Sequence, residues 1–112
     1  MTVTVTVVPP HTVVTATGDV DLAAAPELRQ CLHHILDDGI TDVIVDLSGA
    51  SFVDSTILGV LVGAQQRLDR SSHPLTLICA REGILKVFRL TGLDRVFQIR
   101  PSLDEATGAA VE

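Results

Sequence analysis

The chain has 112 residues, 46% of them hydrophobic and 20% charged, with a formal net charge of −6. That length suits one domain over residues 1–112, and the composition suits a packed globule rather than a disordered chain. So acidic a chain lacks the basic footprint of a nucleic-acid or anionic-membrane binder, and with no Trp, no Tyr and three Phe it offers no base-stacking platform.

The N-terminus, Met1-Thr2-Val3-Thr4, lacks the basic-then-apolar layout of a signal peptide, and no apolar run is long enough for a membrane span. A cytoplasmic protein is expected. Val3, Val5 and Val7 alternate with Thr2, Thr4 and Thr6, a period of two in β-branched residues that predicts a half-buried strand. Pro9-Pro10 turns the chain, and a second strand over His11–Thr17, closed by Gly18-Asp19, pairs with the first as an antiparallel neighbour. Asp21 to Asp38 reads as helix one, with Leu28, Leu32, Ile35 and Leu36 on one face, Pro26 in the first turn and Gly39 as the stop.

Asp42 to Leu47 is a nearly continuous apolar run, the pattern of a parallel strand covered on both faces. A short polar turn then leads into helix two, from Thr56 to Arg70, whose apolar arc holds Ile57, Leu61, Ala64 and Leu68 with Val60 at its edge. Ser71-Ser72-His73-Pro74 breaks that helix, and Leu75–Cys79 is the next buried strand. Strand, helix, strand at this spacing predicts a right-handed crossover. Glu82 to Leu90 is a third helix ended by Gly92, Val96–Ile99 a last strand, and Ser102–Ala106 the start of a terminal helix. The fold class is therefore α/β: one mixed sheet of four to five strands with about four helices packed on it.

Catalytic constellations are hard to assemble. Cys31 and His34 are three apart on helix one, but no third ligand lies near them, and a zinc site needs at least three protein groups; no metal is expected. Cys31 and Cys79 sit in apolar patterns and read as buried hydrophobes rather than a disulfide. Ser55 has Asp54 beside it, but adjacent residues at a helix start point in different directions, and no G-x-S-x-G elbow is present. Gly59 and Gly63 lie within a helix without the Lys-Ser/Thr pair of a phosphate loop, so no nucleotide cofactor is expected. Asp37-Asp38 and Asp104-Glu105 fit helix ends. The expectation is a binding protein, not an enzyme.

Asp54-Ser55-Thr56 is the most informative stretch. Its plain reading is an N-cap, because such side chains satisfy the unpaired amides of a first helical turn. The same place attracts anions and lies beyond the carboxyl end of a buried strand, where open α/β sheets tend to carry function. Gly59 and Gly63 stand four apart off the apolar arc, each costing about 1 kcal/mol of helix propensity relative to Ala, which points to something packing closely on that face.

Asp46-Leu47-Ser48-Gly49-Ala50-Ser51-Phe52-Val53-Asp54-Ser55-Thr56 resembles the signature of STAS domains, in particular the stand-alone bacterial anti-sigma factor antagonists. Gly18-Asp19-Val20-Asp21 and Thr91-Gly92-Leu93-Asp94-Arg95-Val96-Phe97 resemble two further family motifs, in the right order along the whole chain. The resemblance implies that the chain binds an anti-sigma factor that is also a serine kinase, frees a sigma factor, and is released when the kinase phosphorylates it; a phosphatase resets it. By position the acceptor is Ser55, with Thr56 as the alternative. The implied partner surface comprises Asp21, Asp54, Ser55, Thr56, Leu58, Gly59 and Gly63. A STAS-like scaffold or small-ligand sensor that is never phosphorylated is the alternative function. One departure stands out: Ile57 occupies a position where the family pattern has glycine, and the helical period turns it inward.

Overall fold

β-Branched residues concentrate in the strands, and the computed structural model, which describes residues 2–69 and 75–108, pairs them into one mixed sheet. Its strands are β1 (Thr2–Val8), β2 (His11–Val20), β3 (Val43–Asp46), β4 (Ala50–Val53), β5 (Thr76–Ile78) and β6 (Gln98–Arg100). The helices are α1 (Ala25–Asp37), α2 (Ser55–Leu68), α3 (Glu82–Thr91) and α4 (Leu103–Thr107). The order across the sheet is β1-β2-β3-β5-β6, with β4 also paired to β2. β1 and β2 are antiparallel, and all other pairings are parallel.

Alternation along the strands divides the core. Val14, Ala16, Val45 and Leu77 face α1, α2 and α3, meeting Leu28, Leu32, Leu61, Leu68 and Phe88. Val13, Ile44 and Ile78 face the other way, where Ala106 of α4 packs against them. Phe88 and Phe97 meet edge to face, with ring centroids 6.0 Å apart. Buried Gln65 ties the end of α2 to β5: its Oε1 accepts from the Leu75 amide at 2.6 Å, and its Nε2 donates to Asp69 at 2.7 Å.

The α/β class, the four helices and the parallel β3–α2–β5 unit agree with the sequence reading; several boundaries do not. β2 runs past Gly18-Asp19 to Val20, because Gly18, at φ 81°, absorbs a register shift instead of ending the strand. The supposed polar turn after β3 contains β4, whose uneven burial hides the usual alternation; backbone pairing with β2 makes it a strand. Asp21 opens a 3-10 turn over Leu22–Ala24, and α1 begins only at Ala25. β6 starts at Gln98 rather than Val96, since Leu93–Arg95 form another 3-10 turn and Phe97 enters the core. Val5 and Val7 pair toward the helix side of the sheet, yet they are 49% and 65% exposed because α1 does not reach over the edge strand. The break assigned to Ser71–Pro74, like Arg70, lies outside the described residues.

Candidate partner-binding site

Two parallel strand ends build the site. β2 and β4 pair through Gly18↔Ala50, Asp19↔Phe52 and Val20↔Val53, and the Asp54 amide donates to the Val20 carbonyl at 3.2 Å. Asp21 and Asp54, one residue beyond the last pair, therefore emerge side by side. The turn between β3 and β4 is tight. The Asp46 carboxylate accepts from the Ser48 amide at 2.9 Å, and the Gly18 amide donates to the Gly49 carbonyl at 3.0 Å. A Cβ on Gly49 would lie 2.8 Å from Cγ2 of Thr17, so any larger residue there would force the Thr17 side chain to shift.

Asp54 is the N-cap of α2. Its backbone is extended, with φ −92° and ψ 174°, and its Oδ1 accepts from the amides of Thr56 (3.0 Å) and Ile57 (3.2 Å). The carboxylate thus holds the first turn and fixes where Ser55 points. Ser55 is the first helical residue and is exposed, while Thr56 is half-buried. Asp21 is half-buried beside a cleft of about 160 Å³ lined with Ala23, Ala24 and Glu27.

The helical period sorts the remaining candidates. Ile57 is fully buried in the core, as its place on the apolar arc predicts. Leu58 is 7% exposed and belongs to the same core, so it presents no side chain to a partner; its expected place on the partner surface is corrected to a packing position. Ser55, Gly59 and Gly63 succeed one another at intervals of four, forming one outward stripe in which Gly59 is exposed and Gly63 half-buried. A Cβ on either glycine would meet nothing within 4 Å. Among the described residues nothing accounts for these two glycines, and they leave that face of α2 open.

Among the described residues, His11 begins the ten-residue β2, about 30 Å from that strand's Val20 end, and pairs with Asp42 at 2.7 Å. His33 and His34 are exposed on α1, and among the described residues no three His, Cys, Asp or Glu gather as a metal site. A larger groove of about 830 Å³ runs between β1 and α1, lined by Val5, Val7, Cys31 and His34 among others; Ser55 is not part of its lining. Burial pushes the thiols of Cys31 and Cys79 up, Cys31 with a further push from Glu27, so both stay protonated at neutral pH and make poor nucleophiles.

The sequence reading overlooked two residues at this end. Phe52 is 44% exposed and Leu22 is 65% exposed, one on each of the chain segments that flank Asp54. Phe52 falls within the expected polar turn, and Leu22 within the expected first turn of helix one, off its named apolar face. The signal that was available is composition: an aromatic side chain is a costly choice for a solvated turn.

Residues 2–106 match the profile of the STAS domain. The chain belongs to the STAS domain family. This STAS domain is 32% identical over 82 residues to the anti-sigma-B factor antagonist of Staphylococcus aureus, covering 73% of the chain and 76% of that relative. Its fold superposes on an anti-sigma factor antagonist from Mycobacterium paratuberculosis with a TM-score of 0.89 at 27% identity, over 99% of this chain and 94% of that one. It also matches the fold of the phosphorylated form of SpoIIAA, a Bacillus cell fate determinant, with a TM-score of 0.76 at 22% identity, over 96% and 98% of the two chains.

Proposed function

We propose that this STAS domain is an anti-sigma factor antagonist, switched by phosphorylation of Ser55. It binds an anti-sigma factor in the cytoplasm, which frees the sigma factor. The anti-sigma factor, acting as a serine kinase, then phosphorylates Ser55 and lets go, and a phosphatase restores the serine. The domain itself is not an enzyme: the chemistry belongs to its partners, and Ser55 is acted upon.

The observation that carries this reading is the exposed Ser55 on the first turn of α2, immediately after a capping aspartate whose carboxylate is already committed to the helix. A phosphate there adds roughly −1.5 to −2 charges and three acceptor oxygens. The helix N-terminus tolerates that charge, so the fold survives modification. An interface does not: the phosphate must shed water beside Asp54 and Asp21, which repel it. A cost of about 3 kcal/mol weakens binding more than a hundredfold, enough for release without refolding. Inward-facing Ile57 leaves the approach to Ser55 clear.

The test combines the purified chain with its cognate anti-sigma factor and ATP, followed by mass spectrometry. The reading expects one phosphate, on Ser55, accompanied by dissociation. Modification at Thr56 alone moves the switch by one residue, and an unmodified chain that still dissociates supports the unphosphorylated scaffold or ligand sensor instead.

A further inference from the structure

Among the described residues seven large apolar side chains are exposed, and two of them, Phe52 and Leu22, stand together at the Ser55 end of the sheet. Phe52 is the one aromatic side chain outside the core, since Phe88 and Phe97 pack against each other within it. It does not hang from a loose loop. β4 holds it in register opposite Asp19, itself exposed, and the next pair, Val20↔Val53, is anchored in the core. Leu22 follows Asp21 in the 3-10 turn, which the Ala24 amide closes by donating to the Asp21 carbonyl at 3.0 Å. Both apolar side chains thus sit on hydrogen-bonded backbone, so binding does not have to order the chain segments that carry them.

We propose that Phe52 and Leu22 are the apolar anchors by which this surface grips the anti-sigma factor. This rests on the antagonist reading above and extends it from the switch to the grip. The complementary surface has a stated chemistry: apolar recesses for the two side chains, rimmed by Lys or Arg facing Asp19 and Asp21. The acidic rim and the net charge of −6 favour a basic partner surface. The bare Gly59–Gly63 stripe is continuous with the anchors through Ser55 and lets a partner approach the α2 backbone. The arrangement separates two tasks. The anchors supply affinity, as buried aromatic and aliphatic residues do at interface hot spots, and Ser55 supplies the off-switch. A phosphate on Ser55, at the helix start that follows β4, acts beside the strand that carries Phe52.

The experiment measures binding of the purified cognate anti-sigma factor, without ATP, to the wild type and to Phe52→Ser, Leu22→Ser, Phe52→Leu and Val7→Ser. Circular dichroism and thermal melting check each fold. Phe52→Ser and Leu22→Ser each weaken binding roughly thirtyfold or more, Phe52→Leu recovers most of the loss, and Val7→Ser, whose apolar residue is exposed away from the site, matches the wild type. Wild-type affinity in folded Phe52→Ser and Leu22→Ser overturns the anchors while leaving the antagonist reading intact. A wild type that binds no anti-sigma factor overturns both. Phosphorylation of Ser55 in a binding-impaired Phe52→Ser variant at high kinase concentration supports the separation of grip from switch, and its absence there overturns that separation.

Discussion

Gly59 and Gly63 carry the clearest residue-scale argument, because both sit in a helix where alanine fits and neither has a neighbour within 4 Å of a Cβ. Gly59→Ala should raise stability by about 1 kcal/mol, from helix propensity alone, and weaken capture of the anti-sigma factor. Urea denaturation and a binding isotherm on the same sample check both signs; a loss of stability contradicts the open-face account. Gly49 is the opposite case. Its missing Cβ makes room for Thr17, whose β-branched side chain has few rotamers to retreat to, so Gly49→Ala should cost about 1–3 kcal/mol in the same denaturation assay. The thiols give a pH prediction. Folded Cys31 and Cys79 ionise above their ordinary value of 9.0, chiefly because burial disfavours the thiolate. Above that pH the unfolded chain has lost protons that the folded chain keeps, so stability falls as pH rises through the alkaline range. Melting temperatures from pH 7 to 10.5, compared with a Cys31→Ala, Cys79→Ala double variant, should show a shallower alkaline decline in the variant. At this scale the sequence spoke plainly where one side chain has one job. Asp54 was legible as a cap and Ile57 as an inward residue. Leu58 was not, since its neighbour's place on the arc says little about a residue turned 100° from it.

Elements were legible where periodicity ran long. α2 was placed within two residues because its apolar arc repeats over four turns, and α3 because Gly92 ends it in the left-handed region at φ 76°. β4 escaped because four residues bonded along one edge leave no period to read. What makes it a strand is β2, more than thirty residues away in sequence, and no local pattern carries that information. Gln65 escaped for a similar reason. Within a helix it resembles any polar surface residue, yet it is 4% exposed and satisfies the first amide before β5. Gln65→Leu should leave that amide without its acceptor and destabilise the domain by about 1–3 kcal/mol, read by denaturation, with no effect on partner affinity. A wild-type midpoint in that variant shows that the Leu75 amide has found another acceptor.

Across the whole molecule, the architecture gathers the residues of the proposed site at one end of the sheet. β2 and β4 finish together, the first turn of α2 opens between them, and helices cover one face while α4 covers part of the other. The surface that remains there holds an exposed serine, two apolar side chains, a bare helical stripe and a pair of half-buried carboxylates. The groove between β1 and α1 has a different lining, which does not include Ser55. The central claim is that Ser55 is the switch. Its most direct test loads the cognate anti-sigma factor with wild type or Ser55→Ala, adds ATP, and follows the fraction of complex over time. The account predicts that the wild type is released while Ser55→Ala stays bound with undiminished affinity. Release of Ser55→Ala at the wild-type rate contradicts it.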